Sequence, residues 1–215
     1  GDTGLGKTAW LQNLVVATPN LKCLYLSLEV HDHLIYRRFM QIANEISKDE
    51  VVDLHSVDRD EELRKAILPI EHINIMTTAP EIGSMKQLII ELAPKIVVID
   101  TIDVIKSNYI NDPFNKMEKI VNELKQLAVQ ESIIIIGVSH ISKGASFEQR
   151  LSVHSAKGNS VIEQKADKVI GIMGDRESTR RIVKALKSRD ESRFQLAFTF
   201  DYSTFRFKET NNVDS

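Results

Sequence analysis

The sequence is poor in cysteine and has no long apolar run. Its 215 residues include a single cysteine, Cys23, which excludes an intramolecular disulfide and a cysteine-based zinc site. No apolar stretch reaches the roughly 18 residues that a membrane-spanning helix needs, so we expect no membrane partner. Repeats, low-complexity tracts and Pro- or Gly-rich linkers are also absent, and we place no internal domain boundary. A reducing, cytoplasm-like compartment is expected.

Charge is nearly balanced over the whole chain but not along it. The formal net charge is −2. From residue 140 to residue 193, twelve Lys and Arg stand against seven Asp and Glu, so this segment carries +5 and the remainder −7. A basic segment in a slightly acidic chain suits contact with a polyphosphate. A set of solvated surface strands would give the same pattern, and charge alone does not separate the two.

The first residues form a Gly-x-x-x-x-Gly-Lys-Thr pattern, which predicts a phosphate-binding loop entering a helix. Glycines let the backbone turn sharply and bring its N–H groups close to an anion. The lysine can reach the β- and γ-phosphates, and the threonine hydroxyl can ligate Mg²⁺. A chance glycine turn before a helix is the alternative. The predicted nucleotide-binding residues are Gly1, Asp2, Thr3, Gly4, Leu5, Gly6, Lys7, Thr8 and Ala9.

Apolar runs alternate with helical patterns along most of the chain. Runs without polar alternation predict strands buried on both faces of a mostly parallel sheet, at residues 23–29, 72–78, 95–100, 133–140 and 168–174. Helical periodicity lies between them, at residues 7–17, 33–47, 61–68, 85–92 and 114–129. The end of the chain (180–189, 194–203, 205–207) reads as strands joined by short turns. We therefore predict an α/β fold with a parallel central sheet flanked by helices and a more antiparallel C-terminal end.

Four further positions carry candidate chemistry. Asp100 ends a buried strand, where it can partner Mg²⁺ beside Thr8 or merely cap the next turn. Glu29 also follows a strand and can orient or deprotonate an attacking water, although such a residue is commonly solvated. His140 ends another strand, where a hydrogen-bonded structural histidine is the alternative. Asp103 is predicted to be a turn residue.

Lys187 and Arg189 alternate with Leu186 and Ser188 in a late strand, so they point to one face. By themselves they fit a solvated surface.

These pieces occur in a familiar order. The chain resembles the RecA-like ATPase domain of DnaB-type replicative helicases and is similar to the helicase half of phage primase-helicases and Twinkle. GDTGLGKTA resembles the family's Walker A motif and KIVVIDTIDVI its Walker B motif. The other matching segments are LYLSLEVHDHLIYRRFMQIANEIS, IIIIGVSHISK, GNSVIEQKADKVIGI and KALKSRDESRFQLAFTFDYSTFRF. The last of these resembles the closing Lys-x-Arg strand and hairpin.

The resemblance implies a RecA-like P-loop NTPase fold and a role for each candidate. Glu29 becomes the catalytic base and His140 a γ-phosphate sensor. Lys187 and Arg189 become a finger that reaches the ATP of a neighbouring subunit. ATP and Mg²⁺ are the implied cofactors, with Thr8 and Asp100 as metal-binding residues.

The resemblance also implies partners and boundaries. A homo-oligomer, expected to be a hexameric ring, would act on single-stranded DNA through Lys143, Arg150 and Lys157, in a loop facing the central channel. One such domain is expected over residues 1–208, followed by a polar tail, 209–215. In the family a strand precedes the phosphate loop inside the sheet, so we expect it to belong to chain before residue 1.

Two other classes of protein remain possible at this point. One is a RecA- or RadA-like strand-exchange protein, which forms nucleotide-gated DNA filaments without unwinding. The other is a regulatory ATP-binding module of the KaiC or helicase-loader kind. The Ser-Leu-Glu, Ile-Glu-Gln-x-Ala-Asp and Lys-x-Arg segments favour the helicase.

Overall fold

A computed structural model describes residues 4–56, 58–78, 80–106, 113–140, 160–190 and 193–210. The helices within these ranges are α1 Lys7–Val16, α2 Asp32–Asn44, α3 Lys48–Leu54, α4 Asp60–Ile67, α5 Ile82–Leu92, α6 Pro113–Gln130 and α7 Ser160–Lys165. The strands are β1 Cys23–Ser27, β2 Ile73–Thr77, β3 Ile96–Asp100, β4 Ile134–Gly137, β5 Lys168–Met173, β6 Arg180–Ser188, β7 Gln195–Asp201 and β8 Arg206–Thr210. No helix among these described residues is long and apolar enough to cross a membrane.

The first four strands form a parallel sheet in the order β2-β1-β3-β4. Strands β1 and β3 are buried along their whole length because helices cover both faces. Alternate residues of β1 serve the two faces: Cys23 and Tyr25 pack with residues of α1 and α2, whereas Leu24 and Leu26 pack with residues of α5 and α6. The predicted parallel sheet is confirmed for these strands.

The last four strands form a separate antiparallel sheet in the order β5-β6-β7-β8. The antiparallel C-terminal end is thus confirmed, but the assignment of residues 168–174 to the parallel sheet is wrong, because β5 pairs antiparallel with β6. Only Gly171 and Ile172 of β5 are buried. A short apolar run shows that a strand exists, but it does not show which strand is its partner.

Helix α1 lies between the two sheets. Leu11 and Val15 join the core beneath the parallel sheet, whereas Ala9 packs with Phe200 and Phe207 of the antiparallel sheet. The Asn13 amide adds two hydrogen bonds to the second contact: it donates to the Phe205 carbonyl at 2.8 Å and accepts from the Phe207 N–H at 3.1 Å. Both sheets therefore fix the helix that follows the phosphate loop.

Several boundaries differ from the predicted ones. The helical pattern at 33–47 contains a break, because α2 ends at Asn44 with Glu45 in the left-handed region (φ 57°). Ser47 then caps α3 through a reciprocal capping box with Glu50. The strand predicted at 133–140 is regular only from Ile134 to Gly137. Strand β8 continues to Thr210.

Candidate nucleotide site

The described part of the phosphate loop turns at two glycines. Gly4 and Gly6 have φ of 86° and 87°, a left-handed conformation that glycine adopts without strain. Space also requires glycine at the second position, since a Cβ on Gly6 would lie 3.1 Å from the Phe207 ring. Gly1, Asp2 and Thr3 were predicted to complete this loop and lie outside the described residues.

Helix α1 starts directly after Gly6, with the Trp10 N–H donating to the Gly6 carbonyl at 2.7 Å. Its first turn contains no acidic residue, so no side-chain carboxylate of that turn offsets the positive end of the helix dipole. Unpaired N–H groups and a positive dipole end form an anion site. Lys7 and Thr8 occupy the first two positions of the helix, as predicted.

Thr8 and Asp100 meet where α1 faces the end of β3. The Thr8 hydroxyl donates to Asp100 Oδ2 at 2.9 Å, although 92 positions separate the two residues. A hydroxyl carries one proton and two lone pairs, so Thr8 can make this bond and still offer oxygen to a cation. Hydroxyl and carboxylate oxygens are ligands that Mg²⁺ accepts, with water and phosphate completing its shell. This donor set fits the predicted Mg²⁺.

Tyr25 is a member of the site that the sequence analysis missed. Its phenol donates to the same oxygen, Asp100 Oδ2, at 2.8 Å, and the side chain is fully buried. Burial, followed by the Asp100 charge and hydrogen bond, raises the pKa of Tyr25 well above its usual value. The phenol is therefore a neutral donor at any physiological pH. A buried tyrosine hydroxyl needs a partner, and that need was the available signal.

Glu29 lies at the same edge of the parallel sheet. The register pairs Ser27 of β1 with Asp100 of β3, and the Leu28 N–H donates to the Asp100 carbonyl at 2.8 Å. Glu29 follows immediately and its side chain is exposed. Within the described ranges no hydrogen bond or ion pair engages its carboxylate, which is thus available to a water molecule.

His140 is held by a residue that was predicted only to form a turn. Asp103, in a short 3₁₀ turn (Ile102–Val104) after β3, accepts from the His140 backbone N–H at 2.8 Å and lies 3.1 Å from its Nδ1. The Ser139 hydroxyl donates to the other oxygen of Asp103 at 2.8 Å. Asp103 therefore joins the segment after Walker B to the segment after β4.

Lys187 and Arg189 lie at the C-terminal end of β6. Lys187 donates to the Gln164 carbonyl at 3.0 Å, and Arg189 forms a 2.8 Å ion pair with Asp167. A hydrogen bond from Lys125 lowers the pKa of Asp167, and the positive charges of Arg189 and Lys187 act in the same direction. Asp167 is thus an anion that holds Arg189 in place.

The described structure thus brings Thr8, Asp100 and Glu29 to one edge of the sheet and places His140 after the neighbouring strand. Lys143, Arg150 and Lys157, predicted to contact DNA, lie outside the described residues.

Comparison with known proteins identifies the class of this site. The chain belongs to the family of DnaB-like helicase C-terminal domains, whose model matches residues 1–209. It is therefore an ATP-hydrolysing motor domain of the replicative helicase class, and the strand-exchange and regulatory alternatives are not favoured. A search of curated proteins finds no match.

Two solved structures share the fold. The ATPase domain of a DnaB-like helicase matches with a TM-score of 0.82 and 21% identity, covering 96% of this chain and 81% of that one. A DnaB-like replicative helicase, studied with its interactions with primase, matches with a TM-score of 0.79 and 21% identity, covering 96% of this chain. This chain spans 55% of the length of that second protein. The predicted RecA-like fold is confirmed.

Proposed function

We propose that the chain is the motor of a hexameric ring that hydrolyses ATP at subunit interfaces, translocates on single-stranded DNA and unwinds the duplex. The observation that carries the proposal is the 2.9 Å contact between Thr8 and Asp100, because it joins the phosphate loop to the strand end that carries Walker B. The proposed place of action is the replication fork in the cytoplasm of a cell, where a phage-encoded protein would also act.

The nucleotide is proposed to bind at the N-terminus of α1. Backbone N–H groups of the loop receive the phosphates, and Lys7 neutralises their charge. Thr8 and Asp100 would hold Mg²⁺, which when bound neutralises charge on the phosphate oxygens. Specificity for ATP is part of this proposal.

Glu29 is proposed to orient and deprotonate the water that attacks the γ-phosphate. Its position supports this role, because an exposed carboxylate two residues beyond Ser27 lies beside the end of β3. His140 is proposed to sense the γ-phosphate. The contact between His140 and Asp103 supports coupling of that sensor to the segments on either side.

Lys187 and Arg189 are proposed to act on the ATP of a neighbouring subunit. The opposite end of their strand contacts the phosphate loop of the same chain, since Arg181 donates to the Leu5 carbonyl at 3.1 Å. Arg189 lies eight residues further on, or about 26 Å along an extended strand. No arginine side chain spans that distance, which supports action in trans.

DNA is proposed to contact Lys143, Arg150 and Lys157 in the channel of the ring. The support is the charge of the segment from residue 140 to residue 193, which is +5 in a chain of net charge −2. Neutralisation of DNA phosphates by lysine and arginine makes binding salt-dependent.

A mixing experiment in the full-length protein tests the shared site. Lys7→Ala and Arg189→Ala should each abolish ATPase activity, because they remove charge from opposite sides of one interface. When the two variants are mixed, some interfaces pair an intact loop with an intact Arg189, and partial activity should return.

Two controls accompany the mixture. Lys7→Ala mixed with the double variant Lys7→Ala/Arg189→Ala contains no intact loop and should stay inactive. Arg64→Ala, which removes an exposed arginine on α4, should keep normal activity. Absence of rescue at every mixing ratio would refute the shared site.

A further inference from the structure

Arg181 is a completely buried arginine with no carboxylate partner among the described residues. It lies near the start of β6 and its exposed fraction is 0%. A buried charge is costly unless hydrogen bonds and nearby dipoles compensate it. Its retention inside the antiparallel sheet therefore requires a structural reason.

Oxygen atoms and aromatic rings surround the guanidinium instead. Nη1 donates to the carbonyls of Asp175 (3.0 Å), Ser178 (2.5 Å) and Arg180 (2.8 Å). Nη2 donates to the Tyr202 hydroxyl at 2.6 Å, and the rings of Phe200 and Tyr202 lie 5.8 and 5.9 Å away. Gly174 leaves the space for this packing, since a Cβ there would lie 3.0 Å from Arg181 Cδ.

The remaining donor of the guanidinium points to the phosphate loop. Nε donates to the Leu5 carbonyl at 3.1 Å, and Leu5 lies between the two left-handed glycines of the loop. The Leu5 side chain is also fixed, because it is buried against Ile172 and Val183 of the antiparallel sheet.

The geometry of a peptide group connects this contact to the nucleotide. In a trans peptide the carbonyl and the following N–H point in opposite directions. Holding the Leu5 carbonyl towards Arg181 therefore directs the Gly6 N–H to the opposite side of the loop. We propose that Arg181 is a positioning residue that orients the Gly6 N–H towards the bound phosphates.

This inference rests on the proposed nucleotide site and deepens it. Arg181 touches no reacting atom, so its loss should weaken phosphate binding in general. ADP and ATP should be affected alike, because the effect acts on the loop and not on the γ-phosphate alone.

The test measures the Kd of fluorescent ADP with Mg²⁺ for three forms of the full-length protein. Arg181→Lys keeps the positive charge but lacks the Nε donor. We expect its Kd for ADP to rise by about tenfold or more, the effect of losing one charged hydrogen bond. Tyr202→Phe is the matched control, because it removes a different contact of the same guanidinium and leaves the Leu5 contact intact. Its Kd should stay within about twofold of the wild-type value.

Each outcome decides between the alternatives. A folded Arg181→Lys with wild-type Kd overturns the proposal, as does an equal loss in both variants, which would show a general effect of the β5–β6 turn. If the wild-type protein itself binds no nucleotide, the proposed function fails as well.

A wild-type measurement decides the matter if Arg181→Lys does not fold. Hydrogen exchange of residues 180–183 should slow when ADP binds, whereas β2, on the edge of the other sheet, should be unchanged. Identical exchange of residues 180–183 with and without ADP would overturn the proposal.

Discussion

Replacing Tyr25 by phenylalanine should weaken metal binding without weakening the fold. The substitution removes one hydroxyl, whose 2.8 Å hydrogen bond orients Asp100 Oδ2. The ring remains, together with its edge-on contact with Phe39 at 5.3 Å. We therefore expect a change in the free energy of unfolding within about 1 kcal/mol.

The expected loss of metal affinity can be bounded. A hydrogen bond to a charged group contributes about 1.5–3 kcal/mol, which corresponds to roughly 10- to 150-fold in an equilibrium constant. Thr8 continues to donate to the same oxygen, so the lower end is expected. We predict that Tyr25→Phe binds Mn²⁺, a probe for Mg²⁺, about tenfold more weakly in the presence of ADP.

Electron paramagnetic resonance of free Mn²⁺ measures this affinity directly. Tyr36→Phe is the matched control, because Tyr36 is a half-buried tyrosine on α2 whose ring contact is with His55. It should bind Mn²⁺ normally. Wild-type Mn²⁺ affinity in Tyr25→Phe would refute the view that this phenol orients Asp100.

Three further predictions address other parts of the chain. Glu29→Gln should keep ADP binding but slow ATP hydrolysis by about a hundredfold or more, as expected for loss of a general base; a phosphate-release assay measures the rate. Asp103→Asn should keep nucleotide binding but reduce the stimulation of ATPase activity by single-stranded DNA, because the carboxylate that positions His140 is lost. Burial raises the pKa of the Cys23 thiol to about 12, so at pH 8 a thiol reagent should react with Cys23 only as fast as the protein unfolds.

Each of these expectations has a result that contradicts it. Normal hydrolysis by Glu29→Gln would move the base to another carboxylate. Unchanged DNA stimulation in Asp103→Asn would leave the contact with His140 a purely local one. Rapid labelling of Cys23 under conditions where the protein stays folded would show that its strand opens locally.

Much of the nucleotide site could be predicted because its residues follow a fixed geometry. Parallel strands bring their carboxyl ends to one edge, so Asp100 and Glu29 were expected near the loop that precedes α1. The contact between Thr8 and Asp100 follows from that rule. The pairing of β5 could not be predicted in this way, because an apolar run carries no information about its neighbour.

The supporting residues were harder to find because they bind to other residues of the site and not to the nucleotide. Tyr25 read as one more apolar position in a buried strand. Arg181 was counted with the basic surface, although Arg181, Val183 and Ala185 alternate on the buried face of β6. An arginine on the apolar face of a strand is the signal that identifies such a position from sequence.

The contact of Gly6 with Phe207 sets the length of chain that can form a working phosphate loop. The motif itself ends at Thr8, yet Gly6 rests on an aromatic ring near the far end of the sequence, and Asn13 is tied to the same strand. A shortened chain that stopped before β8 would retain every letter by which the motif is recognised. It would lose the surface against which the loop takes its shape. The smallest independent unit for nucleotide binding in this protein is therefore nearly the whole described chain.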